Sequence, residues 1–297
     1  MPTDAVLREL LVRQLDHWLP GALHRSRRAT LALAYAGSDA GGADAALRVV
    51  AEFADRLRGR RLTVLVLADA PDLPARLGPI EATLPTDVAV HVVPGGPDRL
   101  PPALKAAGAA GAPLLTLVDG GDPTPALLAA ATTGRPAELL LVTDAGRSLR
   151  PALTDAGFPL VTEVDLVPAE GPARRLGFAT GSDRSLEALK DALWAADEYA
   201  GVRYRDPADP AGRLLDITLD PEPGPLRREL LAELARSGPR TVTELRRFTL
   251  TSTVYRAADT SRALTSLLAS GGVGRDPEHG RLGGDVLISP GDAGSAA

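Results

Sequence analysis

Four short stretches set acids and glycines where a backbone turn and a carboxylate would meet a ligand: "LAYAGSDAGG" from Leu33, "LADAPD" from Leu67, "VVPGGPD" from Val92 and "LVDGGDP" from Leu117. Each follows an aliphatic run. Glycine lets a backbone approach a ligand closely, and the Asp39 and Asp69 carboxylates suit an ammonium or sugar hydroxyls, while Asp119 suits an amine. The same residues serve equally well as ordinary turn formers: Gly37, Gly41, Gly42, Gly95, Gly96, Gly120 and Gly121 fit tight turns, and an Asp such as Asp69 is common at a strand end. Other chemistries find less. The chain has no cysteine, which excludes disulfides, thiolate nucleophiles, iron–sulfur clusters and cysteine-zinc sites. His17, His24, His91 and His279 are scattered, so no metal is expected, and Ser38, Ser148 and Ser182 lack a nucleophile-elbow context.

Positioning these stretches is the task of alternating strands and helices. Aliphatic runs near Thr30–Ala34, Leu62–Ala68, Val88–Val93, Leu114–Val118 and Glu138–Val142 read as strands, and "DAALRVVAEFADRL", "RLPPALKAAGAA" and "TPALLAAAT" between them read as helices. That alternation predicts a parallel sheet covered on both faces. "LVTEVDLV" and "RRLGFAT" are separated only by "PAEGPA", too short for a crossover, so they form an antiparallel hairpin. The expectation is an α/β, Rossmann-like sheet of seven strands with the last one antiparallel, the class I methyltransferase arrangement. An amphipathic helix over 1–28 precedes it and packs on it through His17 and Trp18; "HRSRR", His24 to Arg28, is a basic patch suited to solvent or an acidic partner.

The α/β domain is expected over 29–205, ending with a helix in "SLEALKDALWAADEY". A Pro/Asp-rich linker follows over 206–223. Over 224–289, "LRRELLAELARSG", "TVTELRRFT" and "AADTSRALTSLLASGG" read as three helices and "VGRDPEHGRLGGDVLIS" as a β-wing, a winged helix-turn-helix pattern; 290–297 read as a disordered tail. In that unit Arg246, Arg247, Tyr255, Arg256 and Arg262 are the candidate contacts for nucleic acid or a partner, with Thr253, Thr260 and Ser261 offering hydroxyls. Ala257, Ala258 and Asp259 make a poor DNA-facing surface, and packing or a protein partner is the alternative use.

The chain resembles the three-Cys-motif partner proteins, which combine a class I methyltransferase-like domain with a C-terminal winged helix. The resemblance is carried by "LEALKDALWAADEYAGVRYRDP" and "ELRRFTLTSTVYRAADTSRALTSLLASGGV" and spans nearly the whole chain. It implies an S-adenosylmethionine site at the strand ends, with Tyr35, Gly37, Asp39, Asp69 and Gly95 toward the cofactor and Asp119 toward catalysis. Departures are concentrated at that site. The family's acidic position in its first turn is Leu33 here, Tyr35 keeps the aromatic, and the second glycine is Asp39. A lost charge-assisted contact costs about 1.5–3 kcal/mol, roughly 10- to 150-fold in affinity. Asp39 either repels the cofactor's carboxylate or pairs with its amino group. The family's Gly-Asp pair after the third strand is Gly95–Gly96, and its Asp-Pro-Phe-Gly turn is Asp119-Gly120-Gly121, without the aromatic platform for an amine.

Intact strand and helix patterning with three of four site motifs altered predicts a degenerate methyltransferase-fold protein, acting as a binding or regulatory partner with weak or absent S-adenosylmethionine turnover. An active methyltransferase with a rebuilt cofactor loop and a winged-helix DNA-binding regulator are the alternatives. The net charge of −5 over 297 residues argues against bulk nucleic-acid coating. Lys105 and Lys190 are the only lysines, as GC-rich codon usage would produce, so arginine enrichment alone is not evidence for phosphate binding. Hydrophobic residues make up 44% of the chain, enough for a core, with aromatics at 3%, so packing is aliphatic. The absence of cysteine and of an uninterrupted apolar segment near the first residue predicts a cytoplasmic protein without a membrane anchor, with a protein partner and an unassigned oligomeric state.

Overall fold

Aliphatic runs bounded by Gly, Pro and Asp do become strands, and the Ala/Leu-striped segments between them become helices. The computed structural model describes residues 2–196 and 201–291, which fall in two compact units, Met1–Ile217 and Thr218–Ala297. The first unit begins α1 (Pro2–Arg25), β1 (Arg28–Tyr35), α2 (Gly41–Glu52), α3 (Ala54–Leu57), β2 (Arg61–Ala68), α4 (Leu73–Glu81), β3 (Val88–Pro94), α5 (Leu100–Ala106) and β4 (Leu114–Asp119). It continues α6 (Pro125–Ala131), β5 (Ala137–Asp144), α7 (Arg150–Asp155), β6 (Leu160–Pro168), β7 (Arg174–Thr180), α8 (Asp183–Trp194), β8 (Val202–Arg205) and β9 (Leu214–Asp216).

The strands form one sheet in the order β3-β2-β1-β4-β5-β7-β6-β8-β9. β1 to β5 are mutually parallel, and β7 runs antiparallel between β5 and β6. This is the Rossmann-like, class I methyltransferase type of sheet, with nine strands in place of the seven expected. The additional pair, β8 and β9, continues the sheet antiparallel beyond β6. β9 lies within the stretch read as a linker; its three residues are too few for a periodic signal, and the preceding turn is set by Asp209, whose carboxylate accepts from the Ala211 and Arg213 backbone N–H groups.

β1 is buried at seven of its eight positions because helices cover both of its faces. Ala32, Ala34, Leu65 and Leu67 join Leu104, Leu128, Leu139 and Leu153 in one core layer, and Leu31 and Leu33 alternate to the opposite face. On that face lies α1, whose Leu10, Leu11, Leu15, Trp18, Leu19 and Leu23 are buried. It is helical to Arg25, with Arg28 already in β1, slightly shorter than the expected 1–28. Trp18 packs as expected, and His17 is half-buried. α1 is pinned at depth by Gln14 Nε2, which donates to Glu138 Oε2 at 2.8 Å, and at its exposed side by Arg13, which donates to the Ala195 carbonyl at 3.0 Å. α8 follows the expected helix through Trp194; Asp197, Glu198 and Tyr199 of that expectation lie outside the described residues.

The second unit contains α9 (Gly224–Ser237), β10 (Arg240–Thr241), α10 (Val242–Ser252), α11 (Asp259–Ala269), β11 (Val273–Asp276) and β12 (Leu287–Pro290). Its three strands form an antiparallel sheet in the order β10-β12-β11. α10 starts with a capping box: Glu244 N–H donates to Thr241 Oγ1 at 3.2 Å and Thr241 N–H to Glu244 Oε2 at 2.8 Å, which stops the helix from fraying backward. Leu226, Leu230, Leu234, Leu245, Leu264 and Ile288 make its core. Of the segment read as a disordered tail, Pro290 is instead paired with Val273 as the last residue of β12, and 292–297 lie outside the described residues.

Candidate functional site

In the strand order, the chain moves outward from β1 to β3 and then returns to β4 on β1's other side, so β1 and β4 flank the point where the winding reverses. Open α/β sheets bind ligands at the strand C-termini beside such a point. A cavity of about 310 Å³ lies there, walled by Asp4, Arg8, Tyr35, Asp39, Asp119 and Arg174. Tyr35 and Asp119 are register partners at the ends of β1 and β4, and Ala36 N–H donates to the Asp119 carbonyl at 2.9 Å. The turn after Asp119 is closed by Gly120 and Gly121, with φ of 83° and 80°. At Gly120 a Cβ would come within 2.9 Å of the Ala36 Cβ, so glycine is required there by both conformation and space.

The Asp119 carboxylate is occupied. Arg174, the first residue of β7, donates to Asp119 Oδ1 and also reaches Asp4 Oδ1 in α1 at 3.4 Å. Burial pushes the Asp119 carboxyl above its ordinary value, and the Arg174 charge and hydrogen bond pull the other way without cancelling it. Tyr35 is 3% exposed and its hydroxyl has no hydrogen-bond partner; burial, then the charge of Asp119, raise its pKa far above the usual phenol range. A Cβ on Gly42 would meet that hydroxyl at 2.8 Å, so the glycine makes room for the tyrosine. Asp39 Oδ1 accepts from the Gly41 backbone N–H at 2.9 Å, folding back on its own loop at the start of α2.

Of the residues singled out in the sequence, the structure brings Tyr35, Gly37, Asp39 and Asp119 around this cavity. Asp69 and Gly95 are not part of its wall: Asp69 stands exposed just past β2, and Gly95, with φ of 112°, turns the chain after β3 against the Arg99 side chain. Leu33 lies inside β1, fully buried, with no atom to offer a ligand. Arg174, Asp4 and Arg8 were not legible beforehand. Arg174 lies 55 residues from Asp119 and 170 from Asp4, and no local pattern announces such a pairing.

S-adenosylmethionine is the group the resemblance implies for these residues. They do not fit it as a whole. The cavity lies at the low end of the ~300–1,000 Å³ range of small-molecule sites, the expected ribose carboxylate is off its wall, and the carboxylate expected to orient an acceptor is bound to a guanidinium. A neighbouring cavity of about 700 Å³, between the turns after β4 and β5, shares Gly120 and Arg174 with the first.

The candidate nucleic-acid contacts of the second unit do not form an open basic face. Tyr255 is 1% exposed and its hydroxyl donates to the Glu222 carbonyl at 3.0 Å. Arg256 is paired with Asp259 at 2.8 Å and donates to the Leu219 carbonyl at 2.9 Å. Arg262 pairs with Asp220 and donates to the Pro221 carbonyl, and Arg246 donates to Ser261 Oγ at 2.9 Å. Arg247 is exposed. Thr253 and Thr260, expected to offer hydroxyls, are buried and bonded to Thr249. Within the unit, Arg256 and Arg262 are engaged by acids and carbonyls and Arg246 by a hydroxyl. Among the described residues no helix is long and apolar enough to cross a membrane, and no group of three or more His or acidic residues is placed to hold a metal ion.

No protein-family model matches the chain, and no curated protein matches it. Similar solved structures include an O-methyltransferase from Bacillus cereus in complex with SAH, 15% identical over 60% of this chain and 81% of that one, with a TM-score of 0.36. Others are a predicted O-methyltransferase from Agrobacterium tumefaciens (15% identity, 58% and 81% covered, TM-score 0.32) and TomG of Streptomyces achromogenes, an O-methyltransferase of tomaymycin synthesis in complex with SAM (19%, 57% and 79%, 0.33). The assignment of the sheet to the methyltransferase type rests on its strand order.

Proposed function

We propose that this chain is a methyltransferase-fold protein that works by binding rather than by methyl transfer, with S-adenosylmethionine bound no tighter than millimolar. The observation that carries the reading is the Arg174 guanidinium on Asp119: at the winding reversal of the sheet, the carboxylate that would orient an acceptor is neutralised by a residue of the same chain. The buried Leu33 in β1 and the exposed Asp69 off the cavity wall support it. Three helices with a small antiparallel sheet, whose first strand β10 lies between α9 and α10, support the winged-helix reading of the second unit, and internally paired Arg256 and Arg262 favour a packing or protein-binding use over DNA. In this reading the resemblance to the three-Cys-motif partner proteins reflects a shared architecture whose cofactor turn has been rebuilt.

The test is isothermal titration with S-adenosylmethionine and S-adenosylhomocysteine, alongside Asp69→Ala. The expected result is no saturable heat below millimolar ligand for either protein. Micromolar binding weakened by Asp69→Ala would overturn the reading in favour of an active methyltransferase.

A further inference from the structure

The edge strand of an open sheet offers unpaired backbone groups to any second strand, unless charge, proline or brevity deters it. Among the described residues there are four such edges, at β3 and β9 of the large sheet and at β10 and β11 of the small one. Three of them are protected. β9 is three residues long and ends in Asp216, which pairs with Arg203 at 3.0 Å; β10 is Arg240–Thr241; β11 ends in Arg275 and Asp276. β3 differs: its seven residues read VAVHVVP, without a lysine, an arginine or an acid, and proline enters only at the last position.

The pairing of β3 with β2 fixes which of its groups are left over. Leu62 N–H donates to the Asp87 carbonyl at 3.0 Å, and Leu62 is the register partner of Val88. In a parallel ladder of that phase, Ala89, His91 and Val93 turn their N–H and C=O groups toward β2, while Val88, Val90 and Val92 turn theirs to the open side. The Val88 N–H is taken by the Pro85 carbonyl at 2.9 Å. Full donor-and-acceptor sets therefore remain at Val90 and Val92, one on either side of His91. Side chains alternate over the same stretch: Val93 packs on the core layer that holds Leu100 and Leu104 of α5, Ala89 and His91 of that face are exposed, and Val88, Val90 and Val92 of the other face are half-buried.

This arrangement is complementary to itself. When an antiparallel copy of β3 is laid on the edge about a two-fold axis at His91, Val90 of each copy stands opposite Val92 of the other as a hydrogen-bonded pair. The N–H and C=O groups of both residues in both copies are then all used. At each end Val88, whose N–H is already spent, meets Pro94, which has none, so the ladder stops without stranding a donor. No charged side chain of one strand is brought against its like on the other. Any extended strand could use the Val90 and Val92 groups; the matched ends fit a second copy of this chain.

We infer that β3 is a self-association edge, on which a second copy of this chain adds antiparallel about a two-fold axis at His91. The inference does not depend on what the β1–β4 cavity binds. One strand is a small interface beside the ~1,200–2,000 Å² of stable complexes, so the dimer is expected to form at roughly 10–100 μM.

Sedimentation equilibrium of the full chain, from about 1 to 500 μM, reads the monomer–dimer balance directly. Val90→Pro removes an N–H that β2 does not use, and proline is tolerated on an edge strand. It is expected to move dimerisation about tenfold or more to higher concentration, with the circular dichroism and unfolding midpoint of the dilute protein unchanged. His91→Asp and His91→Lys each set like charges opposite one another across the axis and weaken self-association, and an equimolar mixture of the two restores it. That rescue needs no variant other than exposed ones and separates a misfolded chain from a broken contact. A parent that stays monomeric to about 500 μM overturns the inference and leaves the edge to a strand of another protein. A dimer that Val90→Pro leaves intact, or a mixture no more associated than its two components, overturns it as well.

Discussion

Arg174 holds Asp119: the first side chain of β7 donates to the last carboxylate of β4, and the same guanidinium reaches Asp4 in α1. One cation thus ties three elements across the mouth of the cleft. Both partners of the pair are only about a quarter exposed, which sets the interaction between a surface ion pair and a fully buried one.

Removing the cation should therefore leave two acids facing each other. Arg174→Ala is expected to destabilise the chain by about 1–3 kcal/mol, and Asp119→Asn in that background to recover part of the loss. Urea denaturation of both single variants and the double variant measures the coupling, expected between about 0.5 and 3 kcal/mol. Strictly additive effects would mean that the contact contributes nothing.

The two glycine-bearing turns should respond differently. Gly120→Ala, at positive φ and 2.9 Å from the Ala36 Cβ, is expected to cost about 1–3 kcal/mol. Gly37→Ala meets no atom within 4 Å and is expected to change stability by less than about 0.5 kcal/mol. Thermal unfolding of the pair checks this, and equal effects would contradict the geometry.

For acid–base behaviour, Glu138 is the informative group. Burial raises its folded-state pKa above the ordinary 4.5, so the folded protein holds the proton more tightly than the unfolded chain. Its contribution to stability is then fully present below pH 4.5 and lost as pH rises through the higher folded value. Glu138→Gln removes that dependence. Unfolding midpoints measured from acid to neutral pH should show the variant gaining on the parent as pH rises, and a constant gap would refute the assignment.

In the second unit, Tyr255→Phe and Arg256→Ala should lower the unfolding midpoint without touching nucleic-acid binding. Losing the Tyr255 hydrogen bond to Glu222 is worth about 1 kcal/mol. Electrophoretic shifts at low salt are expected to show no difference between the parent and either variant. A shift present in the parent and lost in Arg256→Ala would restore the DNA reading.

Patterning on the scale of a strand or a hairpin was legible. The five aliphatic runs and the "PAEGPA" hairpin announce themselves within a few residues. The antiparallel pairing of β6 with β7 came from the same source, since only an antiparallel return fits a six-residue connection. β9, with three residues between prolines and acids, gave no period to read, and α7 is barely longer than a turn and a half. At the site, the strand-end turns were legible as turns, but what fills them was not. Whether Asp119 is free depends on Arg174, and whether Arg256 is free depends on Asp259 and Leu219. Sequence spacing locates a charge along the chain; it does not say which opposite charge the tertiary fold will bring to it.

The first helix has a consequence in time. Its partners Glu138, Arg174 and Ala195 are 124, 170 and 182 residues further along the chain. At roughly 5–20 residues per second of synthesis, α1 waits on the order of 10–40 s before the last of those partners has been added. β1 and α2, which also pack on α1, are made soon after it, so its apolar face has early cover and only these polar anchors wait for that interval. Because Arg174 and Ala195 come late in the unit, the placement of α1 is fixed only once β7 and α8 have been made.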